Sequence, residues 1–447
     1  MLQTIRNAWK IEEIRRKILF TLFMILLYRV GNAIPVPYVD VDTLRNYFNS
    51  DLSKTVLGLY NVMSGGAFSQ ATIFALSIQP YINASIIIQL LCIAIPALER
   101  MAKDEGEEGK KKINNITRYS TVGIALLQGF AYYMMLRNYS LSNSSNPILA
   151  EMGVWQAIVI ILTFTAGSAL IMWMGEQITE FGIGNGISII LFVSIISRFP
   201  SALRNLIIRL SSDEAYRTQM TGTSDQLMWW QLLLILIGAL AMIVLIVAVN
   251  NAERRIPVQY SKRVVGRKQY GGQSTHLPMK VNMSGVLPVI FASAIASLPA
   301  TIGAFAGKNS SNSAFLRVFD TTSLLYALIY FLLIIFFSYF YSTIQFNPIE
   351  VANNLKRNGG FIPGYRPGKP TSEFLSKVLN KITLFGAIFL SIVAVTPYLI
   401  SHWSNAAKVS DISLGGTSII IVVGVALETV QALENQMLMR HYKGFLE

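Results

Sequence analysis

The chain has 447 residues, of which 53% are hydrophobic and only 14% charged, against roughly a quarter charged in an ordinary soluble domain; this excludes such a domain and marks an integral membrane protein. Its one cysteine, Cys92, lies inside the apolar run ASIIIQLLCIAIP, which excludes an intramolecular disulfide and a thiolate metal cluster and leaves a small packing residue. The net charge of +13 also suits a nucleic-acid-binding protein, so its distribution along the chain has to decide.

Ten apolar stretches follow one another at about 18–37, 71–95, 116–136, 154–174, 184–200, 227–250, 283–306, 322–344, 382–400 and 415–435, each near the roughly 20 residues that cross a bilayer. The first follows the charged start RNAWKIEEIRRK, which resembles a signal-peptide n-region. Arg29 interrupts its apolar run and a uniform array of spans comes after it, so it reads as a retained helix. Between the first two stretches lies LGLYNVMSGGAFSQATIF (57–74), broken by Gly65 and Gly66 and too short to cross alone. It reads as a re-entrant half-helix, which at membrane depth requires burial in protein or an aqueous cavity; the other reading is a helix lying on the outer leaflet. The Gly-rich GIGNGIS (182–188) is a flexible helix start rather than a nucleotide site. Further on, STHLPMKVNMSGVLPVIFASAI (274–295) joins a polar, basic loop directly to an apolar helix carrying Pro288 and Pro299. Prolines there are tolerated where neighbouring helices satisfy the freed backbone groups, so this helix is packed in protein and reads as a channel wall.

Lys and Arg are held on the cytoplasmic side of a membrane. With the N-terminus inside, the inner segments carry 26 of the 37 Lys and Arg residues, which places both termini in the cytoplasm. The external stretch 198–226 departs from this bias with Arg198, Arg204, Arg209 and Arg217, as long charged loops do. Five spans on each side of that stretch suggest two halves of opposite orientation, the inverted-repeat plan in which a pathway runs at the repeat interface.

Enzymatic and energy-coupling motifs are missing. The three histidines, His276, His402 and His441, are far apart, no HExxH or phosphate-loop pattern occurs, and GYRPGKP (364–370) fails the latter in spacing and in its final proline. Ionisable residues near midplane mark ion-coupled transporters, yet the spans hold little beyond Arg29 and, deeper, Glu428. What they hold instead is isoleucine, in ALSIQPYINASIIIQLL, GNGISIILFV, GVLPVIFASAI and GGTSIIIVVGV. Such side chains converging at one depth form a constriction that blocks ions and water by dewetting; facing lipid, they have no such role.

The motifs PYINASIIIQLL, GEQITEFGIGNGISII, QSTHLPMKVNMSGVLPVIFAS, QFNPIEVANNLKRNGGFIPGYRPG and LGGTSIIIVV closely resemble, in order and spacing, those of the SecY family of protein-translocation channels, over about residues 17–440. The resemblance implies an all-α integral membrane protein of ten transmembrane helices in two pseudo-symmetric inverted halves, 1–205 and 227–447, hinged at the external loop 206–226. Its function would be to conduct unfolded secretory chains through a central pore and release apolar segments sideways into lipid. The implied pore ring falls on Ile78, Ile82, Leu191, Ile290 and Ile421, with Leu191 where many relatives have isoleucine. The implied plug falls on Leu59, Tyr60, Asn61, Val62, Met63, Ser64, Gly65, Gly66, Ala67, Phe68, Ser69 and Gln70. Gln89 and Asn282 lie near the implied lateral gate, where two amides meeting across the seam would hold it shut. The loops 251–282 and 345–381 carry 13 of the inner cations and resemble surfaces that dock the ribosome and the SecA motor, through Arg267, Lys268 and Arg366. SecE and SecG subunits, signal sequences, nascent chains and membrane lipids are the further partners implied, without any cofactor or catalytic residue. The membrane would be the bacterial cytoplasmic membrane, a plastid thylakoid being the less favoured host. From the residues alone, the competing class is an ion-coupled secondary transporter.

Overall fold

The computed structural model describes residues 6, 8–48, 56–103, 105–142, 146–149, 152–211, 213, 228–260, 263–265, 268–270, 274–305, 323–403 and 416–443. Helices dominate. In chain order they are α1 (Glu12–Gly31), α2 (Val41–Tyr47), α3 (Val56–Met63), α4 (Gln79–Ala94), α5 (Pro96–Lys103), α6 (Gly106–Ser142), α7 (Val154–Phe181), α8 (Gly186–Ile196), α9 (Phe199–Ile208), α10 (Trp229–Asn251), α11 (Leu287–Phe305), α12 (Leu324–Gln345), α13 (Pro348–Arg357), α14 (Lys369–Trp403) and α15 (Gly416–Lys443). Each of the ten apolar stretches overlaps a helix of this series. Among the described residues, six helical stretches are long and apolar enough to cross a membrane: Val154–Phe181, Gly186–Ile208, Trp229–Asn251, Leu324–Arg357, Lys369–Thr396 and Thr417–Leu438. The protein is therefore a multi-pass helical membrane protein.

One stretch starts later than the sequence suggests. Residues 71–78, expected to open the second span, form turns, with Ala71 and Ser77 at φ 42° and 51°. Left-handed backbone at Ser77 stops a helix from extending backwards, and Pro80 in the first turn of α4 is pre-set for a helix start there. The 16 residues of α4 reach about 24 Å at 1.5 Å per residue, short of the roughly 30 Å hydrocarbon layer. On its own α4 is therefore too short to cross, and residues 71–78 lead into it as turns.

To this all-α framework the structure adds two small sheets between α10 and α14. Strands β1 (Glu253–Tyr260), β4 (Ser274–Lys280) and β5 (Gly360–Phe361) form one antiparallel sheet in the order β4-β1-β5, and β2 (Arg263–Val265) pairs with β3 (Lys268–Tyr270) in the other. Ile256 and Val258 alternate with exposed residues on β1, the period-two pattern of a half-buried strand. They pack with Met279, Leu355, Ile362, Leu375 and Leu379 in a separate apolar core. The two long basic loops are thereby fused into one platform.

Close helix contacts depend on missing side chains. A Cβ at Gly167 of α7 would lie 2.0 Å from the carbonyl oxygen of Ile73, whereas one at Gly123 of α6 would meet nothing within 4 Å. Gly167→Ala should therefore lower the thermal unfolding midpoint in detergent, by the equivalent of about 1–3 kcal/mol for an overpacked contact. Gly123→Ala should leave it unchanged or raise it, since alanine is the better helix former by about 1 kcal/mol. Equal midpoints for the two variants would contradict this packing.

Candidate functional site

Four helices deliver the isoleucines to one place. Ile78, at the N-cap of α4, and Ile82 one turn on meet Leu191 of α8, Ile290 of α11 and Ile421 of α15 in a single buried cluster, each between 0 and 3% exposed. Met63, the last residue of α3, is buried in the same cluster. The sulfur of Met63 accepts a hydrogen bond from Gln79 Nε2 at 2.9 Å. The re-entrant segment thus touches the convergence point of helices from both ends of the chain.

The segment itself is held by local bonds. After α3 the chain turns through Gly65 and Gly66, at φ 70° and 93°, into a short 3-10 turn, Phe68–Gln70. A Cβ on Gly65 would fall 2.9 Å from the carbonyl oxygen of Ser194, so glycine here serves both the backbone conformation and the close approach to α8. The backbone N–H of Ser69 donates to Asn61 Oδ1 at 3.0 Å, and that of Phe68 to Ser64 Oγ at 3.1 Å. Of the residues expected in the plug, Tyr60 to Ser64 and Ala67 to Ser69 are buried, Gly65 and Gly66 are partly buried and Gln70 is exposed; Leu59 lies on α3.

A second cluster clamps the far side of the segment, and no feature of the sequence signalled it. Phe68 packs on Tyr132 of α6, with ring centroids 4.5 Å apart, and Tyr132 packs on Phe164 of α7 at 5.0 Å. The Tyr132 hydroxyl donates to the Phe68 carbonyl at 2.6 Å. Val36, Leu44 and Phe48 close the same cluster. Outside it, Asp40 caps α2, and the hydroxyl of Thr43 holds its carboxyl below the usual carboxylate range.

The two amides expected to meet do not. Asn282 donates to Asn250 Oδ1 at 2.9 Å and to the carbonyl of Gly285 at 3.1 Å, all within the C-terminal part of the chain. Gln89 instead accepts from the hydroxyl of Tyr341 on α12 and donates to Ser85 Oγ at 3.1 Å. A bond spanning 252 positions has no local sequence signal, and a tyrosine satisfies a buried amide while adding apolar area. The Tyr341 ring lies 5.0 Å from that of Phe291 on α11, so α4, α11 and α12 meet at this one side chain.

On the sheet-bearing platform, Arg366 is exposed in a loop bounded by Gly364 and Gly368, both with positive φ. Its carbonyl accepts from Thr371 Oγ1 at 2.7 Å, which ties the loop to the start of α14. Lys268 opens β3, whereas Arg267 lies outside the described residues. The described residues include no group of three or more His, Cys, Asp or Glu side chains placed to hold a metal ion.

Apolar helices that converge on one buried apolar cluster, with the glycine-broken segment touching it, suit a channel-type membrane protein. The comparisons narrow this to one family. The chain matches the SecY family over residues 72–430. It is 44% identical over 452 residues to the protein translocase subunit SecY of Streptomyces scabiei and 41% identical over 459 residues to that of Mycobacterium tuberculosis, in both cases over 100% of each chain. The fold is similar to that of a solved protein-conducting channel, with a TM-score of 0.64 at 15% identity over 95% of this chain and 92% of that one. The Sec61 channel of a canine ribosome–channel complex gives 0.60 at 13% identity, over 95% of this chain and 92% of that one. The chain belongs to the SecY family, the protein-conducting channel subunits of the protein translocase. An ion-coupled transporter finds no support in these likenesses.

Tyr132→Phe removes the donor to a buried carbonyl, a loss of about 1–3 kcal/mol, and should loosen the 3-10 turn. A cysteine placed at Ser69 in a Cys92→Ser background should then react faster with an impermeant maleimide from the outer side. An unchanged rate would show that the hydroxyl does not secure the segment.

Proposed function

We propose that the convergence of Ile78, Ile82, Leu191, Ile290 and Ile421 is the pore ring, with Leu59–Gln70 as the plug on its outer side. The carrying observation is the burial of Met63 together with all five ring residues in one apolar cluster. Branched alkyl groups from four helices leave no group for water or an ion to bind, so the closed pore is dry. An unfolded chain displaces the plug and parts the side chains, which re-form the seal afterwards. Leu191 is roughly the size of isoleucine and keeps the ring apolar.

In this reading residues 1–205 and 227–447 are inversely oriented halves of five spans each, hinged at 206–226. Of that hinge, residues 206–211 and 213 fall within the described residues. The lateral gate lies between α4 and α6 on one side and α11 and α12 on the other. Contacts of α11 with α4 and α6, and the bond of Tyr341 to Gln89, support that placement. Asn282 acts from the C-terminal half alone.

The protein works without catalysis, so partners supply the energy. The fused platform, with Arg366 and Lys268 on it and Arg267 in the same loop, is the docking surface for a ribosome or the SecA motor; clustered cations attract the phosphates of ribosomal RNA in a salt-sensitive way. SecE and SecG complete the channel. The membrane is the bacterial cytoplasmic membrane, with both termini inside, as the excess of inner Lys and Arg supports.

Two measurements test this. Replacing both Ile82 and Ile290 by serine should wet the constriction and raise single-channel conductance in planar bilayers, whereas a silent double variant would remove these residues from the seal. Arg366→Glu should impair motor-driven translocation of a secretory precursor into vesicles at matched protein abundance, because it reverses an exposed charge and removes no packing. Full translocation would take Arg366 out of the docking surface.

A further inference from the structure

Two halves joined by a single stretch of chain can splay and twist as well as turn. The covalent link, 206–226, follows the helical stretch Gly186–Ile208. At 1.5 Å per residue those 23 residues carry the chain about 34 Å, so the link lies across the membrane from Gly184 and Gly186. A turning motion about a fixed axis needs a second joint at this near end.

A contact between the halves is present there. On α15 Ile421, Val425, Thr429, Leu433 and Met437 recur at every fourth position, which makes them one ridge along the helix. The ridge begins in the buried cluster with Ile421 and Val425. A Cβ on Gly184 would lie 3.6 Å from Thr429 Oγ1 and 3.8 Å from its Cα, so the loop ahead of α8 rests on the middle of the ridge. Further on, Leu433 is buried together with Ala8, Ile14 and Ile183, and Ile11, Ile18 and Met437 pack around them. Lys17 Nζ donates to Gln436 Oε1 at 3.5 Å. The backbone N–H of Ile183 donates to Thr21 Oγ1 at 3.3 Å, so α1 and the loop form one piece, and that piece holds α15 across the boundary between the halves. Lys280 of β4 donates to Gln431 Oε1 at 2.8 Å, which puts this contact on the sheet side of the seal.

The chemistry of the contact suits a joint that turns. It is apolar except for the bond of Lys17 to Gln436, and apolar contact has no preferred direction, so the ridge can roll in its seat without a bond being broken. We infer that the start of α1, residues 182–185 and the last turns of α15 form a second hinge, and that the halves turn about the line between it and 206–226. The inference rests on the two-half channel reading proposed above. Leu191 and Ile421 ride on α8 and α15, which pack together near that line, whereas Ile82 and Ile290 ride on α4 and α11 at the proposed gate. Turning therefore opens the ring from the gate side, while the wall made by α8 and α15 stays in contact.

The test uses the complete channel complex in vesicles, in a Cys92→Ser background. With Lys17→Cys and Gln436→Cys joined by a short cleavable thiol tether, a secretory precursor should be translocated at the untethered rate, because a hinge stays together while the channel works. Loss of translocation on tethering, restored on cleavage, would show that the contact has to part and would overturn the hinge. A contact that only packs would pass this arm as well, so the second readout is the distance between spin labels on cysteines at positions 111 of α6 and 356 of α13, both exposed. In the idle channel Leu433→Ser should broaden that distance distribution and Leu433→Ile should retain it. Ile14→Ala, on the other side of the joint, should broaden it likewise and gives the answer should Leu433→Ser not accumulate. An unchanged width in the variants that accumulate would overturn the hinge. Failure of the unmodified complex to translocate the precursor would overturn the channel reading, and the hinge with it.

Discussion

Backbone that is not helical has to find its hydrogen bonds inside the protein when it lies at membrane depth, and the run from Ser64 to Ile78 obeys that constraint at nearly every step. Asn61, Ser64 and Tyr132 supply side-chain partners, and Ser168 Oγ donates to the carbonyl of Ser77 at 3.1 Å. Because these partners come from α3, α6 and α7, the segment is fixed to the N-terminal helices. Its Met63 end projects into the cluster shared with α11 and α15, where Phe74 and Ile78 of the lead-in to α4 also lie. A firmly bonded base and an apolar tip suit a stopper that leaves the pore without leaving the protein.

The two kinds of contact at the proposed pore differ in what opening them costs. Apolar contact among Ile82, Leu191, Ile290 and Ile421 is non-directional, so a passing chain's own apolar side chains can replace it. The bond of Tyr341 to Gln89 is directional, yet hydrogen bonds inside membranes average only about 0.6 kcal/mol. In the proposed gate, a seam closed by one such bond and apolar contact is biased shut without being locked. Asn282, satisfied by Asn250 within the C-terminal helices, steadies one wall and adds nothing across the seam.

Hydropathy made the helices legible, and the five motifs marked the residues that meet in one apolar cluster, because apolar length and motif order survive without three-dimensional information. The re-entrant segment was legible for a physical reason: Gly65 and Gly66 break an apolar run too short to cross. Its clamp was not, since Phe48, Phe68, Tyr132 and Phe164 belong to separate elements and each alone reads as a lipid-facing aromatic. The same holds for Gln89, whose partner stands 252 positions away; polarity marked the residue but could not choose between Asn282 and Tyr341. The sheets escaped notice because β1 opens on the charged ERR and both β1 and β4 carry a proline, Pro257 and Pro278, which argues against a strand and masked the alternation of Ile256 and Val258.

The central claim is that the two sets of helices must separate along the seam between α4 and α12 for a polypeptide to pass. Cysteines at positions 89 and 341, in a Cys92→Ser background, joined by a short cleavable thiol tether in translocating vesicles, test it most directly. The account predicts that tethering stops translocation of a secretory precursor and that cleaving the tether restores it. Undiminished translocation through a fully tethered channel would contradict it.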